Sequence, residues 1–233
     1  MKRSYQKELM DGAPADEKLL IDDLRNLRYM NRFLGGSRVL LYGLKRLIRE
    51  EKLTSFSLLD VGTGSGDIPA AIARWGRQQS FNTRIVALEA QAVTASVAAG
   101  HTKRFPEISV VQCDAGAPPF HHASFDIVTA SQFLHHFTEA NIIALLQRWA
   151  ALARRAIVIS DLIRHPVAYY GIQVLTRLCT RNVMTIRDAP LSVHRALTVG
   201  EWRNLFIHAA VGRVEIRSIA PFRMSAVISL KPS

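Results

Sequence analysis

Apolar and polar positions along this chain follow two periods in alternation. Short apolar runs at residues 54–61 (TSFSLLDV), 83–88 (TRIVAL), 108–113 (ISVVQC), 124–130 (SFDIVTA) and 156–160 (AIVIS) suit strands buried on both faces. Between them, residues 68–77, 92–103 and 140–153 place their apolar side chains at helical spacing. Strand and helix in strict alternation predict a parallel sheet covered by helices. Near the end, residues 213–219 and 223–230 switch to apolar–polar alternation, as a terminal antiparallel pair would.

Two stretches depart from this rhythm. Residues 1–50 read as amphipathic helices. A start at Pro14-Ala15-Asp16 leads into Leu19, Leu20, Asp23, Leu24 and Leu27, and Gly35-Gly36-Ser37 interrupts before Val39, Leu40, Gly43, Leu44, Leu47 and Ile48. The second stretch, residues 162–197, is too long for an ordinary connection. Residues 169–179 look helical, and basic, irregular sequence follows through Asp188-Ala189-Pro190; the whole reads as an inserted helical lid. A capped amphipathic helix is expected at residues 198–209. The chain thus divides into a helical cap at 1–52 and an α/β domain at 53–233, in one structural unit.

The chemistry concentrates after the first strand. Gly62, Gly64 and Gly66 stand at every second position between that strand and the next helix. Glycine permits positive φ and lets the backbone touch a ligand without an intervening Cβ. Strand, glycine loop and helix together offer backbone N–H groups and a helix N-terminus. The dinucleotide pattern G-x-G-x-x-G requires a third glycine at position 67, which is Asp67.

What stands there instead, D-x-G-x-G-x-G from Asp60 to Gly66, resembles the first motif of the class I S-adenosylmethionine (SAM) methyltransferases. The resemblance extends over most of the chain. It implies a Rossmann-like, mostly parallel seven-stranded sheet with helices on both faces and an antiparallel terminal strand. It also implies SAM as cofactor, held by Asp60, Gly62, Gly64, Gly66, Glu89, Ala90, Asp114, Ala115 and Ser131. Glu89 closes the second strand, 23 positions after Gly66, where a carboxylate accepts the two ribose hydroxyls; an acid there also serves as a helix N-cap. Asp114 follows the third strand, where the family meets the adenine edge; a turn-forming Asp is the other reading. Helices such as those of residues 1–50 often cover the SAM pocket in this class.

Composition narrows the partners. The chain has 233 residues, and its formal charge of +11 is uneven. Residues 1–52 hold twelve Lys/Arg against eight Asp/Glu, residues 53–160 eight against seven, and residues 161–233 ten against four. A nearly neutral core between basic flanks fits an anionic substrate, a nucleic acid or peripheral contact with an anionic membrane. Cys113 and Cys179 make no disulfide framework, and the N-terminal residues show no apolar signal segment, so a cytoplasmic location is expected. Oligomeric state is not readable.

Methyl transfer from a sulfonium needs an aligned and activated acceptor. His135 and His136 follow the fourth strand and Asp161 follows the fifth; these strand ends are neighbours in a parallel sheet, so an Asp-oriented imidazole base is feasible. They are the candidate catalytic residues, although one His of an adjacent pair commonly packs against the next helix. The Leu-His-His-Phe run resembles small-molecule methyltransferases, including ubiquinone and menaquinone C-methylating enzymes. The segment SDLIRHPVAYYGIQVLTRL resembles enzymes acting on phenolic or polyketide-derived acceptors, which makes Arg164, His165, Tyr169 and Tyr170 candidates for holding substrate. No metal set stands out, because the eight histidines lack an H-x₃-H or C-x₂-C arrangement beside a suitable acid. The leading expectation is methylation of a small phenolic or quinonoid acceptor, with O-methylation preferred over C-methylation. The alternatives are an RNA or tRNA methyltransferase using the basic flanks, and a SAM-fold scaffold without activity. Nucleic acid is disfavoured, since Ala130-Ser131-Gln132-Phe133 stands where amino-methylating nucleic-acid enzymes carry an Asn/Asp-Pro-Pro-Tyr/Phe run.

Overall fold

The computed structural model describes residues 1–12 and 16–230. Two helices open the chain, α1 (Glu17–Phe33) and α2 (Gly36–Glu50). Asp16 caps α1 by accepting from the Leu19 N–H at 3.1 Å, while Pro14 and Ala15 lie outside the described residues. Then come β1 (Ser55–Val61), α3 (Asp67–Gln78), β2 (Asn82–Glu89), α4 (Ala92–Thr102), β3 (Ile108–Gln112) and β4 (Phe125–Ser131). They are followed by α5 (Glu139–Leu152), β5 (Ala153–Leu162), α6 (Pro166–Cys179), α7 (Val183–Arg195), α8 (Val199–Ala209), β6 (Arg213–Ile219) and β7 (Arg223–Ser229).

The seven strands form one sheet in the order β3-β2-β1-β4-β5-β7-β6. The first five are parallel, and β7 enters antiparallel between β5 and β6. Strand order reverses at β1, which pairs with β2 on one side and β4 on the other. In an open parallel sheet that reversal leaves a crevice at the carboxyl ends of the strands, where ligands bind.

Each face of the sheet has its own core. One face packs Leu40, Leu44, Leu47 and Ile48 of α2 and Ile68 and Ile72 of α3 onto Leu58, Ile85, Ile127 and Val158. The other packs Leu146 and Trp149 of α5 and Trp202 and Phe206 of α8 onto Leu59, Val128, Ile157 and Ile228. A smaller cluster joins Leu20 and Leu24 of α1 to Met184 of α7, with Val93 and Val97 of α4 against it. That third cluster roofs the crevice, and it depends on helices far apart in sequence.

Two expectations change here. Asp188-Ala189-Pro190 lies inside α7, not in irregular chain. Asn182 caps that helix by accepting from the N–H groups of Met184 and Thr185, and the tertiary contacts of Asp188 and Ala189 offset the cost of an internal proline. The first twelve residues are extended apart from a single 3₁₀ turn at Leu9–Asp11, because that segment is tied to α7 and not to itself. Ser4 N–H donates to the His194 carbonyl at 3.0 Å, and the Asp188 carboxylate accepts from the N–H groups of Leu9 and Met10 at 3.0 and 3.1 Å.

Candidate active site

A cavity of about 360 Å³ occupies the crevice, within the size range of small-molecule sites. Its floor is the loop after β1. Gly62, Gly64 and Gly66 all have positive φ, at 65°, 55° and 75°. At Gly62 a Cβ would collide with Cδ2 of Phe133, so only glycine lets the loop pass beneath that ring. Gly66 does not line the cavity. It begins α3 in the left-handed conformation, and a Cβ there would meet Thr102 of α4 at 2.9 Å. Its place is helix packing, which corrects the expectation of a ligand contact.

The carboxylates around the loop are locally organised. Glu89 ends β2 and accepts from the Gly64 N–H at 3.0 Å and the Gln91 N–H at 3.1 Å. Burial pushes its carboxyl above the usual range, against the pull of those backbone donors. Asp60 is fully buried; burial raises it to about 7, although the Thr129 hydroxyl donates to it at 2.7 Å. Asp67, where a dinucleotide site would have glycine, accepts from Asn31 of α1 at 3.1 Å. Asn31 in turn accepts from the Gln132 side chain, so α1, β4 and the loop are latched together. Ala90, Asp114, Ala115 and Ser131 also line the cavity. The Ala115 carbonyl accepts from the Trp149 indole N–H at 3.2 Å, and Ser131 shares a hydrogen bond with Ser160 at 2.9 Å.

Facing the loop is a cluster of histidines and acids. His135 and His136 occupy the 3₁₀ turn Leu134–His136, and their rings stack at 4.4 Å. The Asp161 carboxylate meets His135 Nδ1 at 2.7 Å and accepts from the His135 backbone N–H at 3.3 Å. Asp11 pairs with His136 Nδ1, also at 2.7 Å. Each Nδ1 therefore donates to its carboxylate, which leaves Nε2 as the nitrogen on the far side of each ring. Both histidines line the cavity; Asp161 stands behind His135 as its orienting partner. Glu8 closes the cluster, with Oε1 3.8 Å from His135 Nε2 and Oε2 3.9 Å from His136 Nε2. Burial lifts the Glu8 carboxyl to about 7. Asp11, although part-buried, is held well below the usual range by the hydrogen bond and charge of His136.

Glu8, Asp11, Asn31, Asp67, Gln132, Asp188 and Ser192 join the cavity without having been expected from sequence. Asp67 and Gln132 had local signals, next to the glycine loop and after β4. The sequence also pointed to no metal set, whereas the fold gathers Glu8, His135 and His136 with ligand atoms within 4.8 Å of one another. The four residues expected to hold substrate are elsewhere. Arg164 donates to the Ala196 carbonyl at 2.8 Å and pairs with Glu201 at 2.6 Å. His165 caps α6 and stacks on Phe222, Tyr169 packs on His194, and Tyr170 is 63% exposed. None of them lines the cavity, because the face of the lid that meets it belongs to α7 and not to α6.

Eight carboxylates line the cavity and, among the described residues, no Lys or Arg does. In a chain of net charge +11 the pocket is locally acidic, which suits a cationic sulfonium and opposes phosphates.

Comparison with known proteins agrees with this geometry. Residues 58–156 match the family model of a methyltransferase domain. That stretch contains the glycine loop, Glu89, Asp114 and both histidines. No curated protein matches the chain. Among solved structures, a SAM-dependent methyltransferase from Aquifex aeolicus superposes with a TM-score of 0.61 at 14% identity, over 87% of this chain and 97% of that one. The CurJ carbon methyltransferase superposes at 0.68 and 14% identity, over 94% of this chain and 62% of that one. An O-methyltransferase family 2 protein from Planctomyces limnophilus, solved with apigenin, gives 0.56 and 16% identity, over 76% and 50%. This chain thus spans less than two thirds of the length of those last two. It has the class I SAM-dependent methyltransferase fold, and its residues 58–156 match a methyltransferase domain. No helix among the described residues is long and apolar enough to cross a membrane.

Proposed function

We propose that this protein transfers the methyl group of SAM to a small phenolic or quinonoid acceptor, on oxygen in preference to carbon. The observation that carries the reading is the shared cavity: the glycine loop, Glu89 and His135 line the same space, with Asp161 behind His135. Gly62, Gly64, Asp60 and Glu89 would hold the adenosyl part, with the Glu89 carboxylate on the ribose hydroxyls and Asp114 at the adenine edge. Ala90, Ala115 and Ser131 would complete the contact surface.

Transfer is an in-line displacement at carbon. The S–CH₃ bond breaks as the acceptor O–CH₃ bond forms, and neutral S-adenosylhomocysteine leaves. The sulfonium needs little activation, so the protein's task is alignment and generation of the oxygen nucleophile. His135 lines the cavity and would take the hydroxyl proton through Nε2; Asp161 orients His135 and would stabilise the imidazolium that results. His136 and Asp11 repeat the arrangement one residue along.

The roof of α1, α7 and the N-terminal segment, together with the acidic lining, weighs against RNA as acceptor. The test is transfer of labelled methyl from SAM to a panel of phenols and quinols and to total tRNA, alongside calorimetry with SAM and NAD. SAM binding with transfer to phenolic oxygen is expected. Transfer to tRNA alone, or NAD binding without SAM binding, overturns the reading.

A further inference from the structure

The histidine pair and Glu8 form more than a base with neighbours. His135 Nε2 is buried, its side chain only 2% exposed, and it has no hydrogen-bond partner. A buried imidazole nitrogen left unpaired costs free energy unless something occupies it. One Glu8 oxygen lies 3.8 Å from it, and the other lies 3.9 Å from the Nε2 of His136. Two imidazole lone pairs and a carboxylate converge there, while both Nδ1 atoms are engaged by carboxylates, Asp161 on one and Asp11 on the other. Outer carboxylates that fix the ring and tautomer of metal-bound histidines are the usual support of such a site.

We infer that Glu8, His135 and His136 bind a divalent transition-metal ion of the zinc class. Two nitrogens and a carboxylate suit zinc, cobalt, nickel or iron(II) better than magnesium or calcium. Around such an ion, ligand atoms on bonds of about 2.0–2.2 Å stand roughly 3.3 Å apart. The 3.8 and 3.9 Å separations from Glu8 would then close by about half an ångström. Positive charge nearby does not fill the site. Arg195 Nε lies 3.9 Å from Glu8 Oε1, but the guanidinium donates to Asp11 and to the carbonyls of Gln6, His135 and His136. It holds the ligand-bearing backbone in place. Arg3 pins the same turn through the Phe137 carbonyl at 2.7 Å.

The ion would act as Lewis acid to the acceptor hydroxyl, whose proton leaves to solvent as the oxygen becomes nucleophilic. That role rests on the proposed acceptor reading; the binding of the ion does not. A lone pair given to a metal cannot also take a proton, so His135 acts as a ligand while the ion is bound and as the base only without it.

The test uses the full chain, treated with chelator and titrated with Co²⁺ and Zn²⁺ alone. We expect one equivalent per chain, a visible ligand-field band with Co²⁺, and a rise in melting temperature. Glu8→Gln and His136→Ala should each weaken Co²⁺ affinity by at least about tenfold, a loss that even outer-shell changes produce. Circular dichroism confirms that each variant is folded, and Asp11→Asn, which leaves all three ligands in place, should show an intermediate loss. Absence of binding at millimolar metal, or affinity unchanged in both ligand variants, overturns the inference. Methyl transfer that proceeds equally fast in metal-free protein overturns the Lewis-acid role while sparing both the site and the proposed function. A bound ion without transfer to any phenol sinks the acceptor reading and leaves the metal site standing.

Discussion

Replacing Asp161 with Asn isolates the residue that decides which nitrogen of His135 faces the cavity. Asp161 is buried, and its carboxylate accepts three hydrogen bonds: from His135 Nδ1 at 2.7 Å, the His135 backbone N–H at 3.3 Å and the Leu162 backbone N–H at 2.7 Å. Asn has nearly the same volume, so no cavity opens. The amide cannot serve all three donors, because Oδ1 takes Nδ1–H and the Leu162 N–H while Oδ2 takes the His135 N–H; with its oxygen on the His135 N–H, its NH₂ faces Nδ1. The imidazole answers by moving its proton to Nε2, and the lone pair on that nitrogen is lost. With the nucleophile-generating group removed, turnover should fall by about 10²–10⁴, the range associated with losing a positioned base. Stability should also drop. One charge-assisted hydrogen bond contributes roughly 1.5–3 kcal/mol, which in a chain of this size lowers the melting temperature by about 3–12 °C. Buried Arg223, whose guanidinium is depressed to about 10 by burial, loses its countercharge in the same step. The assay is single-turnover methyl transfer, with SAM affinity from calorimetry and histidine tautomers from nitrogen NMR. SAM affinity should hold within a few-fold. Turnover within threefold of the parent, with the His135 tautomer switched, would refute the reasoning.

Glu89→Ala should weaken SAM binding by about tenfold or more while the histidine tautomers stay as they are, because it removes a carboxylate that accepts from the loop and, in the proposed reading, from the ribose hydroxyls; calorimetry checks it. Gly62→Ala should abolish SAM binding and cost about 1–3 kcal/mol in chemical denaturation, from the positive φ and the collision with Phe133. Asp60 should make stability fall as pH rises. Its folded carboxyl sits at about 7 and its unfolded one near 4, so the folded state binds the extra proton between those values. The loss across that window is about 4 kcal/mol at most, and Asp60→Asn should remove that component from the pH–stability curve; equal slopes in both proteins would contradict it. Arg164→Ala and Tyr170→Ala should leave the acceptor KM within twofold, since neither side chain reaches the cavity, with Arg164→Ala costing stability through its bonds to Ala196 and Glu201.

What the sequence determined by itself is local. The strands and helices around the glycine loop are legible because their signals lie within one turn or one pleat of the residues concerned: buried β-runs, helical spacing, glycines at positive φ. Glu89 follows from a fixed spacing, since a strand–loop–helix–strand unit has little freedom of length. Asp161 and His135 could be paired because neighbouring parallel strands end side by side.

Tertiary structure decided the rest. Glu8 meets the histidines across more than a hundred residues, through an N-terminal segment with no periodicity of its own, and is held by Ser192 and Arg195 of a distant helix. Which lid helix faces the ligand was equally out of reach. Arg164 and Tyr170 have the chemistry of substrate contacts, yet the β5–α6 connection turns Arg164 to Glu201 and α6 turns Tyr170 to solvent, while α7 presents Asp188 and Ser192 to the cavity. Periodicity says that a helix has an apolar face; only the packing of Leu20, Leu24 and Met184 says where that face lies. The acidity of the pocket is likewise a product of folding. Composition reports a charge sum, and the chain path alone brings eight carboxylates inward while the cations stay outside.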